Sequence, residues 1–289
     1  MKWQGVYEFV AVAETQSFSA AAKRLNISTA QVSRQISALE DRLQVKLFYR
    51  TTRKVALTEE AELYYQHCRL LLDGLDTAEE AITSLRGTPQ GKIKLAAPVT
   101  FGERKIQPLI NDFVRRYDQL EVETELRNHP ADMVEEGFDL AIRIGRLEDS
   151  TLIAKKIGMR HSYVCASPRY IEKYGKPSTP ADLKHHNCLV GTREHWLFTE
   201  KNKEKRIKVN GNIRCNSGIA LLDAALKDIG IVQLSDFYVD DCLRKGKLVT
   251  LLDNFRESAE GIWAVYPQNR YLSPKLKLLI DHLTKHLSL

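Results

Sequence analysis

Two short helical patterns lie end to end in residues 18 to 43, FSAAAKRLNISTAQVSRQISALEDRL, and neither is long enough to be stable alone. The first carries Ala20, Ala21, Ala22 and Leu25, so a second helix can cross it closely. Asn26-Ile27-Ser28 is the turn, and Ser28 is placed to cap the second helix, which runs to about Leu43. In that helix Val32, Ile36, Leu39 and Leu43 are spaced 4, 3 and 4 and form one narrow apolar stripe. The opposite side holds Ala30, Gln31, Arg34 and Ser37, with Thr29 and Ser33 on its flank. An ordinary solvated face mixes Glu and Lys. Small side chains instead let a helix backbone descend into the major groove, while Gln, Ser and Arg reach base edges and phosphates.

The flanking residues extend this pattern. Residues 3 to 14 predict a helix with Val6, Phe9, Val10 and Ala13 on one face, and Ser17 or Ser19 can cap the helix that follows. KLFYRTTRKVALT reads as a short hairpin wing whose Lys46, Arg50, Arg53 and Lys54 would sit beside a duplex backbone. A generic three-helix core with a basic loop has the same spacing. Charge favours the DNA reading. Residues 1 to 58 hold nine Lys/Arg against four Asp/Glu, a net of +5 out of +6 for the whole chain. A basic end on a nearly neutral body suits contact with a polyanion.

Thr58 can cap a long helix with Glu59 and Glu60 in its first turn, where acids suit the helix dipole. Tyr64, Cys68, Leu71, Leu75, Ala78, Ile82 and Leu85 repeat at 4, 3, 4, 3, 4 and 3, a heptad seam. The seam predicts pairing with a second chain, which would bring two reading helices to one duplex; packing on its own domain is the other reading. Gly87, Pro89 and Gly91 end the helix as a linker. Beyond Lys92 strand and helix alternate. KIKLAAP, EVETELR, DLAIRIG, YVCASP, IVQLS and GIWAVYP are predicted strands; Phe101 to Tyr117, SGIALLDAALKDIG and Pro274 to His286 are predicted helices. That alternation predicts an α/β domain with parallel sheets.

The length of 289 residues and 43% hydrophobic content are those of a soluble globular protein, and no apolar run approaches a bilayer span. Glu8 and Glu14 inside the first apolar segment read as a mature helix, not a signal peptide, and predict a cytoplasmic protein. Five widely spaced cysteines (Cys68, Cys165, Cys188, Cys215, Cys242) argue against a disulfide framework and read as reduced thiols. His185, His186 and Cys188 lie on adjacent positions without a matching donor set, so no metal is expected. Trp196, Trp263 and Phe198 read as packing residues. No G-x-G-x-x-G, G-x-x-x-x-G-K-[ST], G-x-S-x-G or H-E-x-x-H occurs, so neither an enzyme nor a cofactor is expected.

The run FSAAAKRLNIS, VSRQISALEDRL and KLFYRTTRKVALT, then a long helix, then GKIKLAAP, resembles the LysR-type transcriptional regulators over the whole chain. DLAIRIG, LIAKKIG and ASPRYIEKYGKPSTPADLKHHNCL resemble that family's regulatory domain, in the branch that includes CrgA and AphB. The resemblance implies a winged helix-turn-helix over 1–58, a dimerising linker helix over 59–88 and a two-lobed effector-binding domain over 89–289. That domain would be similar to periplasmic binding proteins, with one lobe at about 91–161 and 267–289 and the other at about 162–266. It implies double-stranded promoter DNA, a small-molecule effector and further copies of the chain, as a dimer of dimers, for partners. Ser28, Thr29, Ala30, Gln31, Ser33, Arg34, Arg50 and Arg53 are the implied DNA contacts. Several positions depart from the family pattern. Gln44 stands where Gly is usual, Thr29-Ala30 replaces Gln-Pro and Gln31 replaces a small residue, which bears on the operator sequence and not on DNA binding itself. Leu57-Thr58-Glu59-Glu60-Ala61 replaces Thr-x-Ala-Gly, which should only tighten the linker helix.

By the same resemblance an effector lies between the lobes, against Thr100, Phe101, Arg143, Gly145, Thr192, Asn216, Ser217 and Gln233. The residues add a partial case of their own. APVTFG ends a strand and opens a helix, NSG opens another, and such helix starts suit anions, so a small organic anion is the expected ligand class. Arg143 is a charge within an apolar strand; it either faces the cleft or turns to solvent, Asp139 or Glu148. Cys215 precedes a helix start that would stabilise a thiolate, so a redox switch is one reading and a plain buried thiol the other. A ligand-independent architectural DNA-binding protein, using the C-terminal domain only to oligomerise, is the alternative function.

Overall fold

Local chemistry starts the second and third N-terminal helices where the sequence implies. In the computed structural model, which describes residues 3–50, 55–84, 89–130, 132–133, 136–147, 150–201, 203–268 and 272–287, Ser17 Oγ accepts the N–H of Ala20 and Ser28 Oγ that of Gln31. Of residues 50, 70, 73 and 76–84 only the backbone is described. These caps open α2 (Phe18–Leu25) and α3 (Thr29–Leu43), which follow α1 (Val6–Thr15). Asn26 and Gln44 close α2 and α3 in the left-handed region, at φ 54° and 57°. The hairpin β1 (Phe48–Arg50) and β2 (Val55–Leu57) pairs antiparallel, and Thr58 caps α4 (Glu59–Ser84) by accepting the N–H of Ala61 at 3.2 Å.

The core of this unit gathers Phe9, Val12, Ala21, Val32, Ile36, Leu39, Leu47 and Phe48. Each large side chain buried there stabilises the fold by about 1.5–3 kcal/mol before entropy is counted. Gly5 (φ 86°) lets α1 start against α3, since a Cβ there would lie 2.5 Å from the carbonyl oxygen of Gln35. The chain divides into two compact units, residues 1–89 with 268–274 and residues 90–267 with 275–289, so α4 belongs to the first unit.

The second unit begins with β3 (Gly91–Ala97), then α5 (Val99–Phe101), a π-turn (Gly102–Ile106) and α6 (Gln107–Val114). The single helix expected from Phe101 to Tyr117 is therefore interrupted. Pro108 has no N–H to return to the carbonyl of Arg104, so the helical register changes there. The chain continues through β4 (Leu120–Leu126), β5 (Leu140–Ile144), β6 (Leu152–Arg160), β7 (Ser162–Ala166) and α7 (Pro168–Tyr174). Next come a short 3-10 turn (Pro180–His185), β8 (His195–Glu200), β9 (Lys203–Lys208), α8 (Gly218–Leu226) and β10 (Val232–Ser235). It ends with α9 (Asp236–Arg244), β11 (Val249–Leu251), β12 (Glu260–Pro267) and α10 (Pro274–Leu287).

Two sheets organise these elements. One has the order β4-β3-β5-β12-β6, the other β10-β7-β11, and β8 and β9 form a separate hairpin. The expectation of parallel sheets holds only for β4-β3-β5. β12 runs antiparallel between β5 and β6, and both pairs in the second sheet are antiparallel. Strand–helix alternation reveals helical crossovers, but not a strand that re-enters a sheet late in the chain. For the same reason the lobe boundary expected near 267 moves. All of β12, from Glu260, belongs to the first sheet, so the chain returns to that lobe before Glu260. α6 and α10 pack through Phe113 and His282 (5.3 Å between rings), and His282 Nε2 lies 3.0 Å from the carbonyl oxygen of Leu109.

Candidate DNA interface and effector cleft

α3 buries one side and exposes the other. Val32, Ile36 and Leu39 are fully buried, while Ser28, Thr29, Ala30, Gln31, Arg34 and Ser37 are exposed and Ser33 is half-buried. The cations around this face divide into two groups. Arg24 pairs closely with Glu14, which also takes Arg69 at 3.3 Å and the hydroxyl of Tyr65 at 3.4 Å, tying α1, α2 and α4 together. Lys46 pairs with Glu40 at 2.8 Å. Arg34 has no ion pair among the described residues, so its guanidinium is available to a ligand. Lys46, expected on the wing's DNA side, is tethered to the protein through Glu40. Arg50 contributes only its backbone position on β1, and Arg53 and Lys54 lie outside the described residues.

In the first unit sequence reasoning missed Glu40. It is 4% exposed on α3 and accepts the backbone N–H of Leu47 at 2.9 Å, just before β1. Burial alone would raise its carboxyl, but the Lys46 ammonium and the N–H groups of Leu47 and Phe48 outweigh burial and hold it below the ordinary carboxylate range. Thr58 completes the joint: its hydroxyl donates to the carbonyl of Lys46 and its N–H to that of Leu47. The reading helix, the wing and α4 thus meet at one hydrogen-bonded corner. A carboxylate one turn before a helix end, followed by an apolar strand, is the only trace of this in the sequence.

The seam on α4 divides in the same way. Cys68 is buried in the unit's own core and Tyr64 packs against it, alongside Ala61, Tyr65 and Leu72. Cys68 is therefore not available to a partner helix, contrary to expectation, while Tyr64 is half-buried. The helix spans about 39 Å at 1.5 Å per residue. Leu71 and Leu75 stand 53% and 46% exposed, and Leu63 is exposed as well. Ala78, Ile82 and Leu85 fall where side chains are not described, Leu85 outside the described residues altogether.

In the second unit a polar cavity of about 240 Å³ brings together Thr192, Asn216 and Gln233 from the expected effector set. Ser217 caps α8 beside it, accepting the N–H of Ala220 at 3.4 Å. Gly218 is required there because the ring of Tyr238 lies where its Cβ would be, at 2.5 Å. Thr100, Arg143 and Gly145 do not line this cavity, and Phe101 lines a different one. Arg143 sits half-buried on β5 opposite Trp263, and Asp139 accepts the backbone N–H of Lys94 at 2.8 Å. The carbonyl of Gly145 is taken by the indole of Trp263 at 2.9 Å. Resemblance placed these residues by strand ends, but β12 covers that edge of β5.

The cavity's charges were not foreseen. Arg160, at the end of β6, contacts Ser235 and pairs closely with Glu260, which also takes Arg193 at 3.6 Å. The Nε of Arg160 is buried without a partner. Burial pushes the carboxyl of Glu257 up, against the pull of Ser162, Arg160 and Arg193. Two arginines thus face two glutamates. Cys215 lines the cavity half-buried, its sulfur accepting the N–H of Ser217 at 3.5 Å. Cys188 is buried with its thiol directed to the carbonyl of Leu183, and His186 lies against Tyr170. Among the described residues no group of three or more His, Cys, Asp or Glu is placed to hold a metal ion, and no helix is long and apolar enough to cross a membrane.

A winged helix-turn-helix with an outward reading face, joined to an α/β unit with a polar cleft, defines a ligand-responsive class of DNA-binding regulator. Comparison with known proteins gives the same class. Residues 3–62 match the bacterial regulatory helix-turn-helix protein, lysR family, and residues 86–288 match the LysR substrate binding domain. An uncharacterized HTH-type transcriptional regulator of Haemophilus influenzae is 38% identical over 279 residues, covering 95% of this chain and 97% of that protein. The HTH-type transcriptional activator TtdR of Escherichia coli K12 is 34% identical, covering 95% and 90%. The solved structure of CrgA, a LysR-type transcriptional regulator from Neisseria meningitidis, is similar with a TM-score of 0.63, 30% identity and 98% coverage of both chains. Full-length AphB of Vibrio cholerae, also with a TM-score of 0.63, is 29% identical, covering 98% of this chain and 99% of that one. The chain belongs to the LysR family of transcriptional regulators, and these relatives are regulators rather than enzymes.

Proposed function

We propose that this regulator reads promoter DNA in the cytoplasm with the Thr29–Arg34 edge of α3, in two copies joined through the distal half of α4, as a dimer of dimers. The observation that carries the reading is the sidedness of α3. Val32, Ile36 and Leu39 are buried behind it, while Thr29, Ala30, Gln31 and Arg34, which has no ion pair among the described residues, stand exposed in front. Arg50 and Arg53 would hold the flanking phosphates. The test is fluorescence anisotropy with duplexes from the region upstream of the chain's own gene. Arg34→Ala is expected to lower specific affinity by about 1–3 kcal/mol while leaving non-specific affinity nearly unchanged. Equal losses on both DNAs remove Arg34 from base reading.

The effector proposed for the cleft is a small organic anion whose carboxylate competes with Glu260 for Arg193, with Thr192, Asn216 and Gln233 as the polar wall. Thr100, Arg143 and Gly145 have no part in it. One observation favours the ligand-independent architectural reading instead: Glu260 already pairs with both arginines. Thermal melting of the full chain against a panel of small carboxylates separates the two. A stabilising compound that also changes the DNA footprint supports the effector reading, and a panel with no effect on either supports the architectural one.

A further inference from the structure

The larger cavity of the second unit is not the cleft. It measures about 620 Å³, within the size range of small-molecule sites, and shares no lining residue with the smaller one. Its floor is apolar: Phe101, Ile157 and Ile262 are buried, and Phe101 meets Phe237 edge to face at 5.3 Å. Exposed Met159 and the half-buried Leu287 complete the wall. Gly158 keeps this wall tight, because a Cβ there would lie 3.3 Å from Leu287.

The rim is charged, and its charges are not equally committed. Asp236 accepts the N–H of His161 at 2.8 Å and that of Phe237 at 2.7 Å, so both its oxygens are occupied by backbone. Burial and the nearby Asp236 raise the carboxyl of Asp240, and Lys105 opposes it across the rim. Lys156 and Lys105 have no ion pair or hydrogen bond among the described residues, and His161 and His286 stand nearby. Ammonium groups with no hydrogen bond or ion pair among the described residues, above a buried aromatic floor, suit a molecule with an anionic head and an apolar body.

We propose that this cavity, formed by the π-turn at Gly102–Ile106, the end of β6, α9 and the end of α10, is a second ligand site for a small amphipathic carboxylate. Its tail would lie on Phe101, Phe237 and Ile262, and its head would meet Lys156 and Lys105. The site is separate from the proposed effector cleft and does not depend on it.

Methionine methyl resonances offer a local readout, because the chain has only three methionines and, among the described residues, only Met159 lines this cavity. The full-length protein, labelled with carbon-13 at methionine methyls, is titrated with octanoate and phenylacetate, and with octanamide and phenylacetamide as uncharged counterparts. Met159→Leu assigns the signal. A saturable shift of Met159 with a carboxylate, weakened roughly tenfold in Lys156→Ala or Lys105→Ala, is expected for loss of a charge-assisted contact. Retention of that affinity in Arg193→Ala separates the site from the cleft. No saturable shift at millimolar carboxylate, equal binding of the amides, or loss of the shift in Arg193→Ala would each overturn the proposal.

Discussion

Replacing Glu40 by alanine tests whether the corner joining reading helix, wing and α4 is held by one buried carboxylate. The Lys46 ion pair and the acceptor for the N–H groups of Leu47 and Phe48 are lost. The Lys46 ammonium is 76% exposed, so its ion pair contributes little. The backbone N–H of Leu47 is buried, and losing its acceptor costs about 1–3 kcal/mol. Glu40→Gln keeps an acceptor for that N–H and should cost well under half as much. Urea unfolding of the full chain, read through hydrogen exchange at Leu47, measures both variants against the parent. The contribution also has a defined pH dependence. The folded carboxyl lies below its ordinary range, so its contribution is complete above that range and falls away as pH drops through the lowered folded value. Glu40→Ala should therefore flatten the acid limb of the first unit's stability. Unchanged exchange at Leu47 in Glu40→Ala, or Gln as damaging as Ala, would refute the reasoning.

Three further perturbations follow from particular contacts. Leu71→Asp with Leu75→Asp places charges on exposed apolar positions, so the fold should persist while the mass by light scattering drops toward monomer; an unchanged mass rejects pairing through this face. Gln44→Gly should stabilise by about 0.5–1 kcal/mol by relieving a left-handed φ, reduced by loss of the side-chain bond to the carbonyl of Asp41; a lower melting temperature would show that the bond outweighs the strain. Burial holds the imidazole of His282 below its ordinary value, so its contribution is complete above that value and declines as pH falls through the lowered folded value. His282→Gln, which can still donate to Leu109, should reduce this loss, and an unaltered pH profile would assign it to another group.

Much of the first unit was legible because its signals are local. Ser17, Ser28 and Thr58 cap the helices they precede, and the 4-3-4 stripe of α3 is its buried side. The position where the family usually carries Gly shows its reason in the φ of 57° at Gln44. The α4 seam was legible as a stripe but not as a destination. A periodic stripe says that a face is covered, not by what; here the domain's own core covers Cys68 and leaves Leu71 and Leu75 for another surface. Strands β6, β8, β9 and β11 were missed. β8 and β9 form a hairpin of their own, and β6 is an edge strand with Lys155, Lys156 and Arg160 interrupting its apolar pattern.

The cleft shows why its residues resisted prediction. Asn216 lies just before α8, Gln233 within β10 and Thr192 in the loop before β8, near helix and strand termini that a fold-level rule can find. Arg160, Arg193, Glu257 and Glu260 come from β6, from a loop and from the approach to β12, up to 100 residues apart in sequence for the Arg160–Glu260 pair. No spacing rule connects them, because β12 has to re-enter the first sheet before Glu260 can meet Arg160. Antiparallel return of one late strand therefore sets the cleft's electrostatics. An incoming anion meets arginines that are already paired, so its affinity depends on the difference between its own contacts and those of Glu260. Weakening Glu260 as a competitor, by Glu260→Gln, should tighten binding of a carboxylate in the cleft, whereas an ordinary anion site with an uninvolved glutamate would show no gain.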